Sequence, residues 1–276
     1  MFTLSHHQRV LTVDKPLVMG ILNITPDSFY AGSRVQELDE LLKKAIAMVQ
    51  AGATILDLGG QSTRPDSERV SANEEIDRVL PAIKLLHKEL PNTFLSIDTY
   101  YASVAKESVL AGAFMVNDIS AGTLDTAMLT TVASLNVPYV LMHSRGTPST
   151  MQSMTTYSQL TQEVLDFLAQ KMQECKALGI SDIVIDPGVG FAKTIPQNFQ
   201  LLRELELFQT LNAPLLIGLS RKSFIYKTLQ TSPEQALNGS TFLHAFALQK
   251  GASILRVHDV REAAEAIRLY EELKIN

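Results

Sequence analysis

The sequence contains one cysteine in 276 residues. A single thiol excludes an intrachain disulfide and any metal site built from several thiolates of one chain. Positive charge is not in excess either: 24 Lys and Arg stand against 29 Asp and Glu, a formal net charge of -5. Dedicated nucleic-acid binders carry a basic excess or basic patches, and basic membrane-surface proteins carry a cationic face, so both classes are disfavoured. No uninterrupted apolar run reaches the roughly 20 residues of a membrane span. The N-terminus, MFTLSHHQRV, lacks the apolar stretch of a signal peptide, and the expected location is the cytoplasm. Gly/Ser linkers, low-complexity tracts and charge blocks that would divide the chain are also missing.

What is present is the composition of a folded protein with a sizeable core, 46% hydrophobic and 19% charged. The length suits one large α/β domain over residues 1–276, with residues 1–16 as an N-terminal lead-in. Eight short apolar runs recur, at residues 17–25, 53–60, 93–99, 113–120, 137–143, 182–188, 213–220 and 252–259. Their first halves are almost continuously hydrophobic, as in parallel strands covered on both faces. Helical patterns separate them. Leu160, Val164, Leu168, Met172 and Cys175 share one face of 157–178, and Leu38, Leu41, Leu42, Ala45, Ile46 and Val49 do the same over 35–50. Gly52, Gly112 and Gly251 each stand where a helix should stop before the next strand. Pro81 either kinks the second helical stretch or starts a new segment, and 261–273 forms a last helix. Eight such units point to a (β/α)8 TIM barrel. The rival, a doubly wound open sheet, lacks its Gly-x-Gly-x-x-Gly after the first strand.

The strand ends carry the chemistry: Asn23, Asp57, Asp98, Asn117-Asp118, His143, Asp186, Arg221-Lys222 and Arg256-Val257-His258-Asp259. A barrel gathers all of them at its C-terminal face. Taken singly, Asp57, Asp118 and Asp259 read as helix caps or loop ties, and Asp57 and Gln61 also as groups that could support the residues touching a ligand; the set as a whole reads as a site. Carboxylates and an amide suit a heterocycle with N–H donors and ring acceptors, whereas Arg, Lys and His suit a phosphate or a ring carbonyl. Residues 24–29 add a polar loop ending in Phe29, residues 59–65 a glycine-rich loop with hydroxyls and Arg64 suited to anions, and residues 186–191 a tight turn. Cys175, on an apolar stripe, and His244 read as packing; His6, His7 and His87 read as surface or terminal groups, and His143 as either a site residue or a loop-ordering one.

In this order the segments GILNITPDSF (20–29), GGQSTRP (59–65), SIDTY (96–100), NDIS (117–120), MHSRGTP (142–148), DPGVGFAKT (186–194), GLSRKSF (218–224) and RVHDV (256–260) resemble the dihydropteroate synthase family. The resemblance implies a cytoplasmic homodimer of TIM barrels. It implies a reaction that joins 6-hydroxymethyl-7,8-dihydropterin diphosphate to 4-aminobenzoate, releasing diphosphate and giving the folate precursor 7,8-dihydropteroate. It implies Mg2+ bound with the diphosphate near Asn23. Asp186 would meet the pterin's 2-amino and N3–H edge, with Asp98 and Asn117 at N1, N8 and neighbouring donors. Lys222 would reach the ring carbonyl and N5, and Arg256 would lie on the ring face. Asn23, Arg256 and His258 would hold diphosphate, helped by Thr63 and Arg64 from the second loop. Phe191, Lys222 and Ser223, with Phe29 and Pro65, would form the aminobenzoate pocket, which sulfonamide mimics could enter. Among these, Lys222, Arg256, Arg64 and Asp98 are the expected catalytic residues.

Two departures stand out. The family's first loop commonly carries an acidic residue where this chain has Ala31, and its second loop starts with Glu and ends with Gly where this chain has Gln61 and Asp66. Ala31 leaves a slow or non-catalytic pterin-binding paralogue as the alternative. A barrel that passes a methyl group from a methylated tetrahydropterin to a corrinoid is a further one, disfavoured by the Ser62-Thr63-Arg64 loop.

Overall fold

The computed structural model describes residues 1–24, 34–61 and 70–274. It opens with an antiparallel hairpin, β1 (Phe2–His6) and β2 (Arg9–Val13), where the sequence suggested only a lead-in. Eight parallel strands follow: β3 (Leu17–Asn23), β4 (Ile55–Gly59), β5 (Phe94–Asp98), β6 (Met115–Asp118), β7 (Tyr139–Met142), β8 (Ile183–Asp186), β9 (Leu216–Ile217) and β10 (Ile254–Val257). Their order is β8-β7-β6-β5-β4-β3-β10-β9, and a parallel bridge from Ile185 to Leu215 brings the two edges together. The sheet is therefore a nearly closed barrel. Helices α1 (Arg34–Gln50), α2 (Ala72–Glu89), α3 (Ala102–Leu110), α4 (Met128–Leu135), α5 (Leu160–Ala177), α6 (Ile195–Arg203), α7 (Ser223–Thr228), α8 (Leu237–Gln249) and α9 (Val260–Leu273) connect and follow the strands.

Side-chain alternation along the strands sorts the core into two parts. Leu56, Leu58, Leu95, Ile97, Val116, Leu141, Ile183, Ile185, Ile217, Leu255 and Val257 pack outward with the helices. The intervening residues Met19, Ile55, Met115, Val140, Val184, Leu216 and Ile254 fill the barrel's interior. Leu4, Leu11 and Val13 of the hairpin belong to that interior cluster, so the hairpin plugs the end of the barrel where the strands begin. Ser5 fastens it there, its backbone N–H and hydroxyl donating to Asp182 at 2.5 and 2.9 Å. One step further along each strand the inward positions turn polar: Asp57, Ser96, Asn117, Asp186 and Arg256. The apolar layer below makes this polar layer the floor of a site open toward the strand ends.

The helix stripes follow the sequence with one exception. Leu160, Val164, Leu168, Met172 and Cys175 are all buried, but Ile46 of α1 lies at the surface while Met48 is buried. Pro81 sits inside α2, which runs as one helix of 18 residues. Gly52, Gly112 and Gly251 all have positive φ at helix ends. The seventh strand shrinks to Leu216–Ile217, and the 3₁₀ segment Leu205–Leu211 precedes it. His6 is buried, its Nδ1 3.0 Å from the Asn136 carbonyl, contrary to its reading as a surface residue.

Candidate active site

Asp98 ends β5, Asn117 lies in β6 opposite it in register, and Asp186 ends β8. All three are buried. Arg256 reaches from β10 across the layer: its Nε donates to Asp57 Oδ2 at 2.6 Å and its Nη2 to Asp98 Oδ2. The same Asp57 oxygen accepts from Asn117 Nδ2 at 3.0 Å. Asp57 is therefore neither a cap nor a loop tie; it is fully buried and holds two of the expected site residues. Burial raises the Asp98 carboxyl above the ordinary range, opposed by Arg256 and reinforced by Asp57 and Asp118. For Arg256, burial alone would lower the guanidinium, but Asp57 and Asp98 outweigh it, so the group stays cationic.

Asp186 is raised chiefly by burial, with Lys222 the largest opposing influence. Its Oδ1 accepts from the Gly188 N–H at 2.7 Å, inside the turn of residues 186–191. That turn requires glycine: Gly188 has φ +70°, and a Cβ there would stand 1.9 Å from the His143 carbonyl oxygen. Lys193 pins the turn from behind. It is 5% exposed, and its ammonium contacts His143 Nδ1 at 3.1 Å and the carbonyls of Gly188 and Phe191 at 2.9 Å each. Burial lowers Lys193 to about 7. Burial, with Lys193 and Arg145 adding repulsion, lowers His143 to about 2, so His143 is neutral and orders the turn. The sequence placed Lys193 inside the DPGVGFAKT stretch without giving it a role; its environment is created by burial between two loops.

Lys222 follows β9 and stands before α7, half-buried, with its Nζ donating to the Val189 carbonyl and lying 4.5 Å from the centre of the Phe191 ring. Burial lowers it to about 8, against the pull of Asp186. Gly218, on β10's flank, brings Lys222 and Arg256 together: both come within 4 Å of the point where its Cβ would be. Asn23 is half-buried at the end of β3, beside Gly59 in register. Ser223 and His258 are exposed at the rim. Thr63, Arg64, Phe29, Pro65 and Ala31 lie outside the described residues. As read from the sequence, Asp118 ties its loop, accepting from Ser120 and Gly122, and also from Tyr139 at 2.7 Å; Asp259 ties the seventh loop through Arg221 at 2.8 Å.

The sequence reading also overlooked Glu75, in the first turn of α2. It is 1% exposed, both its oxygens lack a hydrogen-bond partner among the described residues, and it packs so near Gly60 that a Cβ there would meet its Cγ at 2.9 Å. Burial pushes its carboxyl up to about 8. A folded value above the unfolded one means that the folded state binds the extra proton. The wild type therefore loses stability as pH rises from about 4.5 to about 8. Glu75→Gln removes this dependence. Its advantage over wild type in urea unfolding should grow by on the order of 3 kcal/mol between pH 6 and pH 9; parallel profiles would disprove the assignment.

A barrel whose polar inner layer offers buried acceptors to a planar heterocycle, beside cations suited to an anion, defines a pterin-binding enzyme. Residues 19–258 match the sequence profile of the family described as "Pterin binding enzyme". The dihydropteroate synthase of Synechocystis is 45% identical over 259 residues, covering 93% of this chain and 89% of the relative. A Yersinia pestis dihydropteroate synthase structure with a sulfonamide drug complex superposes with a TM-score of 0.92 at 39% identity, covering 99% of both chains. The Xanthomonas albilineans enzyme in complex with 7,8-dihydropteroate does so with a TM-score of 0.89 at 36% identity, again over 99% of both. The chain belongs to the dihydropteroate synthase family. Its chemistry is C–N bond formation in folate biosynthesis, and the corrinoid alternative falls away.

Proposed function

We propose that the residues described above divide the synthase reaction between a pterin cradle and an anion-binding rim. The observation that carries this is the buried Asp186 carboxyl, held by Gly188 in the polar layer beside Asp98 and Asn117. Asp186 takes the 2-amino and N3–H edge of the dihydropterin, Asp98 and Asn117 take the N1 and N8 side, and Lys222 takes the ring carbonyl and N5. Arg256 lies along the ring face. Arg256, His258 and Asn23 receive the diphosphate, with Thr63 and Arg64 contributing from the second loop. Phe191, Lys222 and Ser223 form the 4-aminobenzoate side, joined by Phe29 and Pro65.

Among the described residues there is no cluster of three His, Cys, Asp or Glu that could cage a metal. Mg2+ fits this donor set, because it is commonly held by one or two protein oxygens together with substrate phosphates. The Asn23 amide oxygen at the end of β3 is such a donor. Bound there with the diphosphate, Mg2+ would supply charge neutralisation of the leaving group.

The protein's own part is orientation and electrostatics. The C–O bond between the pterin's methylene and the diphosphate breaks, and the electron pair leaves with the diphosphate toward Arg256 and His258. The positive charge left on the methylene spreads into the ring, which Asp186, Asp98 and Asn117 hold in place. The arylamine lone pair then forms the C–N bond, and its proton passes to solvent. No protein nucleophile takes part: Cys175 is buried on α5, its thiol pushed up to about 12 by burial. We place this chemistry in the cytoplasm, in one domain spanning residues 1–276. A homodimer is part of the same reading and rests on the family resemblance. No described helix is long and apolar enough to cross a membrane.

Diphosphate release from the pterin diphosphate, with and without 4-aminobenzoate, tests the reading. Mg2+-stimulated release coupled to dihydropteroate formation is expected. Tight pterin binding with release no faster than background would instead identify a non-catalytic paralogue, the outcome that Ala31 raises.

A further inference from the structure

Asp57 has no place in the reaction outlined above, yet it is the most deeply buried charge in the polar layer. It is 0% exposed on β4, and an isolated carboxylate in such a place is costly unless paired. Its pairing is lopsided. Oδ2 accepts from both Arg256 Nε, at 2.6 Å, and Asn117 Nδ2, at 3.0 Å, while Oδ1 has no hydrogen-bond partner among the described residues. A carboxylate in a salt bridge only accepts, so the atom that Asn117 turns toward it has to be the NH2 group. Asp57 takes one N–H of that group, so the amide carbonyl of Asn117 and its second N–H are left to face other partners. Arg256 is fixed in the same way: Asp57 holds its Nε edge and Asp98 its Nη2 edge. Two neighbouring strands thereby set the plane of the guanidinium before any ligand arrives. A planar fork held at two edges keeps little rotational freedom.

We propose that Asp57 is a positioning residue: it orients Asn117 so that the amide presents its carbonyl oxygen to the pterin, and it sets the plane of Arg256. The proposal rests on the pterin-cradle reading and deepens it, because it assigns the polarity that the pocket shows at residue 117. The ring must offer a donor there.

A charge swap tests the assignment. Asn117→Asp alone sets a carboxylate 3.0 Å from Asp57 and should weaken binding of a 7,8-dihydropterin at least 100-fold in calorimetry. Asp57→Asn alone keeps the shape and one acceptor but loses the charge, and should cost about tenfold. In the double variant Asp57→Asn/Asn117→Asp, the amide donates from position 57 and an acceptor still faces the ligand. Affinity should return to within about tenfold of wild type, a recovery that independent losses cannot give. Thermal unfolding of each variant separates misfolding from lost binding. A double variant no better than Asn117→Asp alone overturns the proposal, since the ligand would then need the amide's donor. Should the swap not fold, Asp57→Ala decides in its place: an unchanged KM and kcat would overturn the proposal. Wild-type protein that binds no pterin would instead sink the cradle reading itself, so the two failures are distinguishable.

Discussion

Asp186→Asn is expected to raise the dissociation constant for the dihydropterin by two to three orders of magnitude, measured by calorimetry at pH 7.5. The reasoning is geometric. Asp186 Oδ1 already accepts from the Gly188 N–H at 2.7 Å, within a turn that Lys193 holds closed. An asparagine at this position keeps its carbonyl oxygen on that N–H, which directs its NH2 group at the ligand. The pterin's 2-amino and N3–H edge presents donors, so a donor meets donors where a carboxylate had accepted. Charge-assisted hydrogen bonds contribute about 1.5–3 kcal/mol each, and leaving a buried donor unmet adds to the loss. At about 1.4 kcal/mol per factor of ten, a net loss of about 3–4 kcal/mol gives the stated range. The fold should survive, because the substitution is isosteric. The thermal midpoint should shift little, and an affinity unchanged from wild type would reject the role.

The residues of the proposed cradle were legible as strand-end polar groups because strand-end polarity is a local property. Asp98, Asn117, Asp186 and Arg256 each break an apolar run, and period-two alternation sends them inward. Asp57 breaks its run in the same way and reads both as a loop tie and as a support for site residues, because nothing local decides between the two. That distinction depends on a register spanning β4, β6 and β10, between residues 199 positions apart. Lys193 was invisible for a related reason. A lysine three residues after a glycine turn reads as surface until two loops close over it. Glu75 sits at the start of an amphipathic helix whose pattern predicts exposure, and the close approach of Gly60 buries it. The seventh strand shrinks to Leu216–Ile217 within the apolar run 213–220, although the Pro214 and Leu215 carbonyls still accept from Ile185, Ser253 and Ile254 on the neighbouring strands. The hairpin at residues 2–13 was missed because its alternation covers only five residues per strand.

Lys222 should govern the alkaline limb of the enzyme's pH profile. Burial brings its ammonium down to about 8, although Asp186 and Asp98 pull upward; Arg256 adds to the lowering, and Lys193 stands nearby as a further cation. Above about pH 8 the free enzyme sheds this proton, and with it the charge we propose for the ring carbonyl and N5. Because kcat/KM reports the free enzyme, it should fall about tenfold per pH unit beyond that point. The acid limb has the opposite origin. Burial raises Asp98 and Asp186, so both take up protons above the ordinary carboxylate range and lose their role as acceptors as pH falls. Lys222→Met should reduce kcat/KM by about 10³ at pH 7.5, the scale seen when one preorganised electrostatic donor is removed, and should abolish the alkaline limb. Lys222→Arg should keep part of the rate and move the limb well above pH 10, since a guanidinium stays charged there. If the limb persists with the same midpoint in Lys222→Met, it belongs to another group. Lys193, lowered to about 7 behind the Asp186 turn, is then the next to replace.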